Sequence, residues 1–300
     1  MQGTSVRAGV ILATTAYGLW GLFPAYFHLL KGVDPVRILA HRATWSAVLC
    51  AALLLVVFRE TALRWWRSAE RRVHLRWLVL TAVLLASNWG VYIHAVTSGQ
   101  VLESSLGYFI NPMVNVALGT VFLGERLSRA QRVAVALAAL GVLHLAVQGP
   151  SVPWLALFLA CSFGSYGLLR KKLAMEPMVA SCVESLLMAP VAVTYLLFTR
   201  AEAPSTTATT DVLLVTTGAV SALPLFLFAL GAKRLPYSTM GLLQYLTPSL
   251  QFVLAVTLFR EPMGPAHVVT FALIWLALAI SSVELVRRVL DERRASASGR

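Results

Sequence analysis

Long uninterrupted runs of apolar residues dominate the chain, and polar residues lie between the runs or recur inside them at helical spacing. A run of about 20 apolar residues is long enough to cross a bilayer as a helix. Because the runs are continuous and do not alternate, the pattern favours helices over a membrane barrel. The predicted transmembrane helices are ten, near 8–30, 38–58, 76–97, 101–123, 131–148, 153–170, 178–199, 212–232, 237–259 and 266–286.

A weak internal repeat relates the two halves of the chain. One constant shift places Pro112 on Pro248 and Glu125 on Glu261, and it holds into the next helix. Equivalent helices are five apart, and because five is odd the two copies must cross the membrane in opposite directions. The sequence therefore predicts an all-α integral membrane protein built from two inverted five-helix repeats. The predicted units are a first repeat at 1–148, a second repeat at 149–290 and a disordered cytoplasmic tail at 291–300.

The distribution of charge gives the chain an orientation. Hydrophobic residues make up 58% of the sequence and charged residues 13%, with a net charge of +12. Most of the 25 Lys and Arg residues lie on the same side as both termini, whereas Lys31, Arg37, Arg200 and Arg260 lie on the other side. This positive-inside bias predicts cytoplasmic N- and C-termini. It also argues against nucleic acid as a partner, since that function requires basic and aromatic residues on one surface.

The fourth predicted helix carries a polar stripe, and the ninth carries another at matching positions. The spacing of Tyr108, Asn111 and Asn115 puts them on one helical face. The matching residues of the second copy include Gln244, Thr247 and Gln251. Unpaired polar groups are costly in hydrocarbon, so both stripes should face the bundle interior. They either line a central pathway or hold the helices together by hydrogen bonds.

Other polar and aromatic residues in the spans extend this candidate lining. They are Tyr17, Trp20, Asn88, Tyr92, Tyr166 and Tyr245. A lining rich in aromatic and amide groups suits a neutral, amphipathic or zwitterionic solute better than a strongly charged one. The alternative for each aromatic residue is anchoring at the lipid interface or packing in the core.

Four titratable residues lie in or near the spans, where a charge costs roughly 2.5–3.5 kcal/mol on insertion scales. Arg42 either binds an anionic group or pairs with Glu103, and the structural pair is the favoured expectation. Glu184 either carries a coupling proton or pairs with a basic residue in the segment 170–172. His94 fits either a coupling or a structural role.

The chain lacks the sequence signatures of the common enzyme classes. It has no phosphate-binding Gly-rich loop with Lys, no Gly-x-Ser-x-Gly and no His-Glu-x-x-His. Cys50, Cys161 and Cys182 lie in predicted spans without metal-ligand spacing. We therefore expect no enzyme activity, metal or cofactor, and the pattern favours secondary transport. The alternative is a membrane scaffold or assembly protein, in which the polar stripes serve only packing.

Several stretches resemble the RarD group of EamA-type permeases, in the drug/metabolite transporter superfamily. The most specific stretch runs from Glu103 to Pro112 and continues at 122–128. Further similar stretches lie at 38–46, 88–93, 166–172, 234–245 and 274–278.

This resemblance implies ten helices in two inverted halves, in the inner membrane of a bacterium. It also implies export or exchange of small organic solutes, which are amino-acid-like metabolites or drugs such as chloramphenicol. The resemblance implies no catalytic residue. Together with the polar stripes, it predicts an alternating-access permease whose site lies between the fourth and ninth helices.

Overall fold

The chain folds into a bundle of helices, and the part of it that the structure describes contains no strand. The structure is a computed structural model that describes residues 2–68, 70–124, 127–149, 151–173, 175–200, 207–232, 234–235, 239–240 and 243–298. The helices are α1 (Gln2–Gly21), α2 (Phe23–His28), α3 (Pro35–Val56), α4 (Arg59–Arg67), α5 (Arg71–Thr97), α6 (Val101–Leu123), α7 (Arg129–Gln148), α8 (Trp154–Lys172), α9 (Pro177–Phe198), α10 (Ala208–Ala232), α11 (Leu246–Val253) and α12 (Pro265–Ser298).

Eight helical segments of the described chain are long and apolar enough to cross a membrane. They are Val6–His28, Pro35–Val56, Arg71–Thr97, Val101–Phe122, Arg129–Gln148, Pro177–Phe198, Ala208–Ala232 and Pro265–Glu284. Large apolar side chains cover the outside of the bundle, and those of Val56, Val191 and Phe198 are more than 70% exposed. Such a surface fits lipid and not water. The chain is therefore a multi-pass helical membrane protein.

Two of the predicted spans take other forms in the structure. The predicted sixth span is α8, whose last three residues, Arg170, Lys171 and Lys172, are basic. It is not one of the eight segments that are long and apolar enough to cross a membrane. The predicted ninth span, 237–259, corresponds to α11 and the π-helical turn Leu254–Leu258 that continues it, and residues 237, 238, 241 and 242 lie outside the described residues. At the other end of the chain, α12 continues to Ser298 and so includes most of the stretch for which the sequence predicts disorder. Glu125, which the repeat pairs with Glu261, lies outside the described residues.

The helix starts follow local sequence rules. The Asp34 side chain accepts a hydrogen bond from the Arg37 N–H, and Pro35 occupies the first turn of α3. Helix α9 repeats this arrangement, since Glu176 accepts from the Val179 N–H ahead of a first-turn proline. The Ser-x-x-Gln pattern at 128–131 predicts a capping box at the start of α7, and the structure confirms it with reciprocal hydrogen bonds between Ser128 and Gln131.

A proline breaks the first predicted span into α1 and α2. Pro24 has no N–H, so the carbonyl of Trp20, four residues earlier, loses its helical donor. In the folded protein Gln251 of α11 supplies the missing donor, with its Nε2 at 3.3 Å from that carbonyl oxygen. The break in one helix thus creates an attachment point for another.

The helices pack in pairs that repeat between the two halves. Helix α1 packs against α10 and α11, and α8 packs against α5 and α6. Helix α3 packs against α9, α7 packs against α12, and α6 packs against α11. This arrangement brings α1, α5, α6, α8 and α11 around one central region, and it leaves α7 and α12 at the periphery of that group.

The contact between α3 and α10 depends on a glycine. A Cβ atom on Gly218 would lie 2.5 Å from the backbone carbon of Trp45, so any larger residue must push the two helices apart. We expect Gly218→Ala to destabilise the protein by about 1–3 kcal/mol, the usual cost of overpacking. Thermal unfolding in detergent measures this. Gly18→Ala is the matched control, because a Cβ there meets nothing within 4 Å. Equal melting temperatures for the two variants would contradict the close approach.

Candidate functional site

Arg42 is a buried cation surrounded by aromatic rings. Its side chain is on α3 and the residue is only 3% exposed. The guanidinium carbon lies 3.7 Å from the ring centre of Trp89 and 5.8 Å and 5.9 Å from those of Phe23 and Phe27. The Nε atom has no hydrogen-bond partner in the described part of the chain. Arg42 is thus stabilised by cation–π contacts, and its Nε–H group remains an unused donor among the described residues.

Glu184 is the corresponding buried anion, and it is well satisfied. It is fully buried on α9 and lies 3.6 Å from the guanidinium of Arg170. The Thr81 hydroxyl donates to Oε1 at 2.6 Å, and the Tyr166 hydroxyl donates to Oε2 at 3.2 Å. Of the alternatives that the sequence left open, the structure therefore shows the pairing with a basic residue.

A line of rings connects the surroundings of Arg42 to Glu184. We call it the aromatic row, and its members are Phe27, Tyr92, Tyr108, Phe163 and Tyr166. Successive ring centres are 6.3, 5.8, 6.4 and 5.8 Å apart. The row crosses four helices, α2, α5, α6 and α8, and its last member bonds Glu184. It forms a continuous line of flat, mainly apolar groups in the interior, between two opposite charges.

Helix α11 joins the row through its polar stripe. Gln251 is 2% exposed and donates from Nε2 to the Tyr92 hydroxyl at 3.3 Å. Thr247 donates to the carbonyl of Tyr17 at 2.8 Å. The rings of Tyr17 and Trp20 in turn pack against Phe228 of α10. Thr247 and Gln251 thus connect the ninth predicted span to the first by hydrogen bonds to the carbonyls of Tyr17 and Trp20.

The three asparagines of the candidate lining differ in their surroundings. Asn88 is buried on α5 and donates to Ser162 and to the carbonyl of Leu159, both on α8. Asn111 is 5% exposed, and its Oδ1 has no partner in the described part of the chain. Asn115 is exposed and lies beside Gly164 of α8. Pro112 also frees the helical carbonyl of Tyr108, so α6 offers unused acceptors near the row.

The expected ion pair between Arg42 and Glu103 is wrong. Both residues are described, and no ion pair joins them. The Glu103 carboxylate instead accepts from the Leu155 N–H at 3.1 Å and so caps the start of α8. Glu103 bonds the start of α8 and not Arg42, because the free N–H groups at a helix start attract a carboxylate.

Glu261 caps the start of α6 in the same way. Its two carboxylate oxygens accept from the N–H groups of Val101 and Leu102 at 2.7 and 2.6 Å. Burial raises the pKa of Glu261 above its ordinary value, and these two hydrogen bonds partly offset the increase. The segment that follows α11 is therefore fastened to the beginning of α6.

Three other predicted residues, His94, Gln244 and Tyr245, are not members of the row. His94 is exposed, and Gln244 is half-buried. Tyr245 packs against the main apolar core. Conversely, sequence reasoning missed Trp89, Phe27, Phe163 and Thr81. The first of these was within reach, because Trp89 adjoins Asn88 and lies one turn before Tyr92, on nearly the same side of α5.

Comparison with known proteins agrees with this architecture. The EamA-like transporter family matches the chain twice, at residues 7–147 and 151–283. An uncharacterized transporter of Pseudomonas aeruginosa is 44% identical over 96% of this chain and 97% of its own length. A solved crystal structure with 20% identity has a TM-score of 0.60 and covers 94% of this chain and 98% of its own, which supports the fold alone.

The matches cover nearly the whole chain, so the chain belongs to the EamA-like transporter family. Within that family it is similar to the RarD proteins. Protein RarD of Salmonella typhimurium is 44% identical over 95% of this chain and 98% of its own length. The chloramphenicol-sensitive protein RarD of Pseudomonas aeruginosa is 32% identical over 95% of this chain and 97% of its own length.

The Arg170–Glu184 pair gives a direct test of this geometry. Arg170→Gln leaves a fully buried carboxylate without its cation, which should cost on the order of 3 kcal/mol. Adding Glu184→Gln removes the uncompensated charge, so we expect the double variant to melt higher than Arg170→Gln alone. Thermal unfolding of the three variants measures the coupling. Strictly additive losses in the double variant would show that the two side chains do not interact.

Proposed function

We propose that this member of the transporter family is a secondary permease. It moves small organic metabolites or drugs across the bacterial inner membrane by alternating access. The observation that carries the proposal is the aromatic row, which runs through α2, α5, α6 and α8 and has a buried charge near each end. A pathway through a bundle requires such an internal surface, whereas a purely structural core needs only apolar packing.

Three observations support two inverted five-helix halves with ten transmembrane helices. The family model matches once in each half. The helix starts of α3 and α9 share an acidic cap followed by proline. The packing pairs also exchange between halves: α1 with α10 and α11 corresponds to α8 with α5 and α6. Inverted repeats of this kind give transporters two related conformations, open to opposite sides.

The orientation in this proposal comes from charge. Basic residues concentrate in the segments that would lie on the side of both termini, so those termini are placed in the cytoplasm. In this topology Arg42 lies near the outer side of the membrane and Glu184 lies near the cytoplasmic side. The aromatic row then runs along the direction of transport.

The solute class follows from the lining. Rings and amide groups dominate it, which suits an amphipathic or zwitterionic organic molecule. Amino-acid-like metabolites fit this description. A relative bears the name chloramphenicol-sensitive protein, and this makes chloramphenicol a reasonable second probe.

One set of contacts favours the alternative of a membrane scaffold. Thr247, Gln251 and Asn88 already donate hydrogen bonds to neighbouring helices, as purely structural polar residues would. The scaffold hypothesis predicts no solute flux. It also predicts that polar lining residues affect stability but no transport activity.

The combined variant Asn111→Leu/Gln251→Leu separates the two hypotheses. Each substitution removes an amide from the proposed path, at about 1 kcal/mol or more per lost contact, so transport should fall about tenfold or more. The measurement is saturable uptake of labelled amino acids and chloramphenicol into proteoliposomes, with and without a proton gradient.

The matched control is Thr120→Val/Thr257→Val. It also removes one polar group from α6 and one from the segment after α11, but each hydroxyl bonds only the carbonyl four residues earlier in its own chain segment. Normal uptake by the amide variant would contradict a path along these residues. Absence of uptake in every protein, including the parent chain, would favour the scaffold.

A further inference from the structure

The two halves of the chain carry opposite charges at the same position. Arg42 follows the first-turn proline of α3 by seven residues (35 to 42), and Glu184 follows that of α9 by seven residues (177 to 184). Both residues are buried, and their helices pack against each other. Equivalent positions in the two repeats therefore place a cation and an anion at the two ends of the aromatic row.

These two charges are not equally satisfied. Glu184 has an arginine, a hydroxyl and a phenol around its carboxylate. Arg42 has no carboxylate within ion-pair distance among the described residues, and its nearest neighbours are the rings of Trp89, Phe23 and Phe27. A buried charge without a counter-charge is costly, and removing one partner of a buried pair typically destabilises a protein. The unmatched charge on Arg42 therefore indicates a partner that comes from outside the chain.

The chemistry of Arg42 specifies that partner. A guanidinium presents planar N–H donors that match a carboxylate in a two-pronged arrangement. Trp89 covers one face of the guanidinium at 3.7 Å, which leaves its edge for such a contact. Phe27, whose ring centre lies 5.9 Å from the guanidinium carbon, is the first member of the aromatic row and lies next to Tyr92. A ligand held by Arg42 would thus have the row beside it.

We propose that Arg42 binds the carboxylate of the transported solute and that the apolar body of the solute lies along the aromatic row. The solute class is a small organic carboxylate, with an amino acid as one example. This inference rests on the proposed function, because it names the substrate class of the same pathway. It replaces the structural role that the sequence favoured for Arg42.

The experiment compares acids with the corresponding carboxamides, which lack the carboxylate charge, as ligands of the full chain in detergent. The probes are 3-phenylpropionate and L-phenylalanine, each against its carboxamide, and the readout is the rise in melting temperature with ligand concentration. We expect both acids to stabilise the parent protein and the amides to do so at least tenfold more weakly. Equal stabilisation by acid and amide, or no stabilisation by either acid, would overturn the proposal.

Variants of the arginine locate the effect. Arg42→Gln should lose the preference for acids, and Arg42→Lys should retain part of it, because lysine keeps the charge without the two-pronged geometry. Arg37→Gln is the matched control on the same helix, where the residue is only half-buried, and it should bind acids as the parent does. If Arg42→Gln does not fold, the Lys variant and the acid–amide comparison in the parent still decide the matter.

Uptake into proteoliposomes distinguishes failure of this inference from failure of the proposed function. Transport of the amides at the same rate as the acids would overturn the carboxylate assignment and leave the transporter intact. Acid binding that depends on Arg42, with no flux of any probe, would support the site and contradict transport.

Discussion

The cost of placing charge in hydrocarbon governs how this bundle is built. Every buried charge must find a partner inside the protein, because lipid offers none. Glu184 meets this condition with three side chains from two helices, Thr81 of α5 and Tyr166 and Arg170 of α8. Arg42 meets it only in part, since rings shield the cation and its Nε has no hydrogen-bond partner among the described residues. That difference supports the proposed binding of a solute carboxylate by Arg42.

Helix irregularities connect this charge balance to the rest of the fold. Pro24 frees the carbonyl of Trp20, and Gln251 bonds both that carbonyl and the Tyr92 hydroxyl. One side chain of α11 thus ties the broken first span to the aromatic row. Glu261 then fastens the end of the same segment to the start of α6. Movement of α11 would act on the first span and on the aromatic row at once, which is a physical basis for the proposed alternating access.

Sequence alone predicted what depends on local rules. The apolar runs predicted the helices, and the Ser-x-x-Gln pattern at 128–131 predicted the capping box of α7. Failures came where rotation about a helix axis mattered. Depth in the membrane suggested that Arg42 pairs with Glu103, but depth does not fix direction, and Glu103 turns to the start of α8. Trp89 was missed because its contact with Arg42 joins two helices, and the sequence does not show which sides of those helices face each other.

In the proposed transport cycle, α6 lines a water-accessible path that opens to each side in turn. We would replace Cys50, Cys161 and Cys182, place single cysteines at 108, 111 and 115, and label them in vesicles with a membrane-impermeant thiol reagent from each side. The control is a cysteine at 109, because Phe109 faces the rings of Phe271 and Trp275 on α12. We expect the reagent to label cysteines at 108, 111 and 115 from both sides, a transported solute to protect them, and no labelling at 109. Inaccessibility of all three stripe positions from both sides would contradict it.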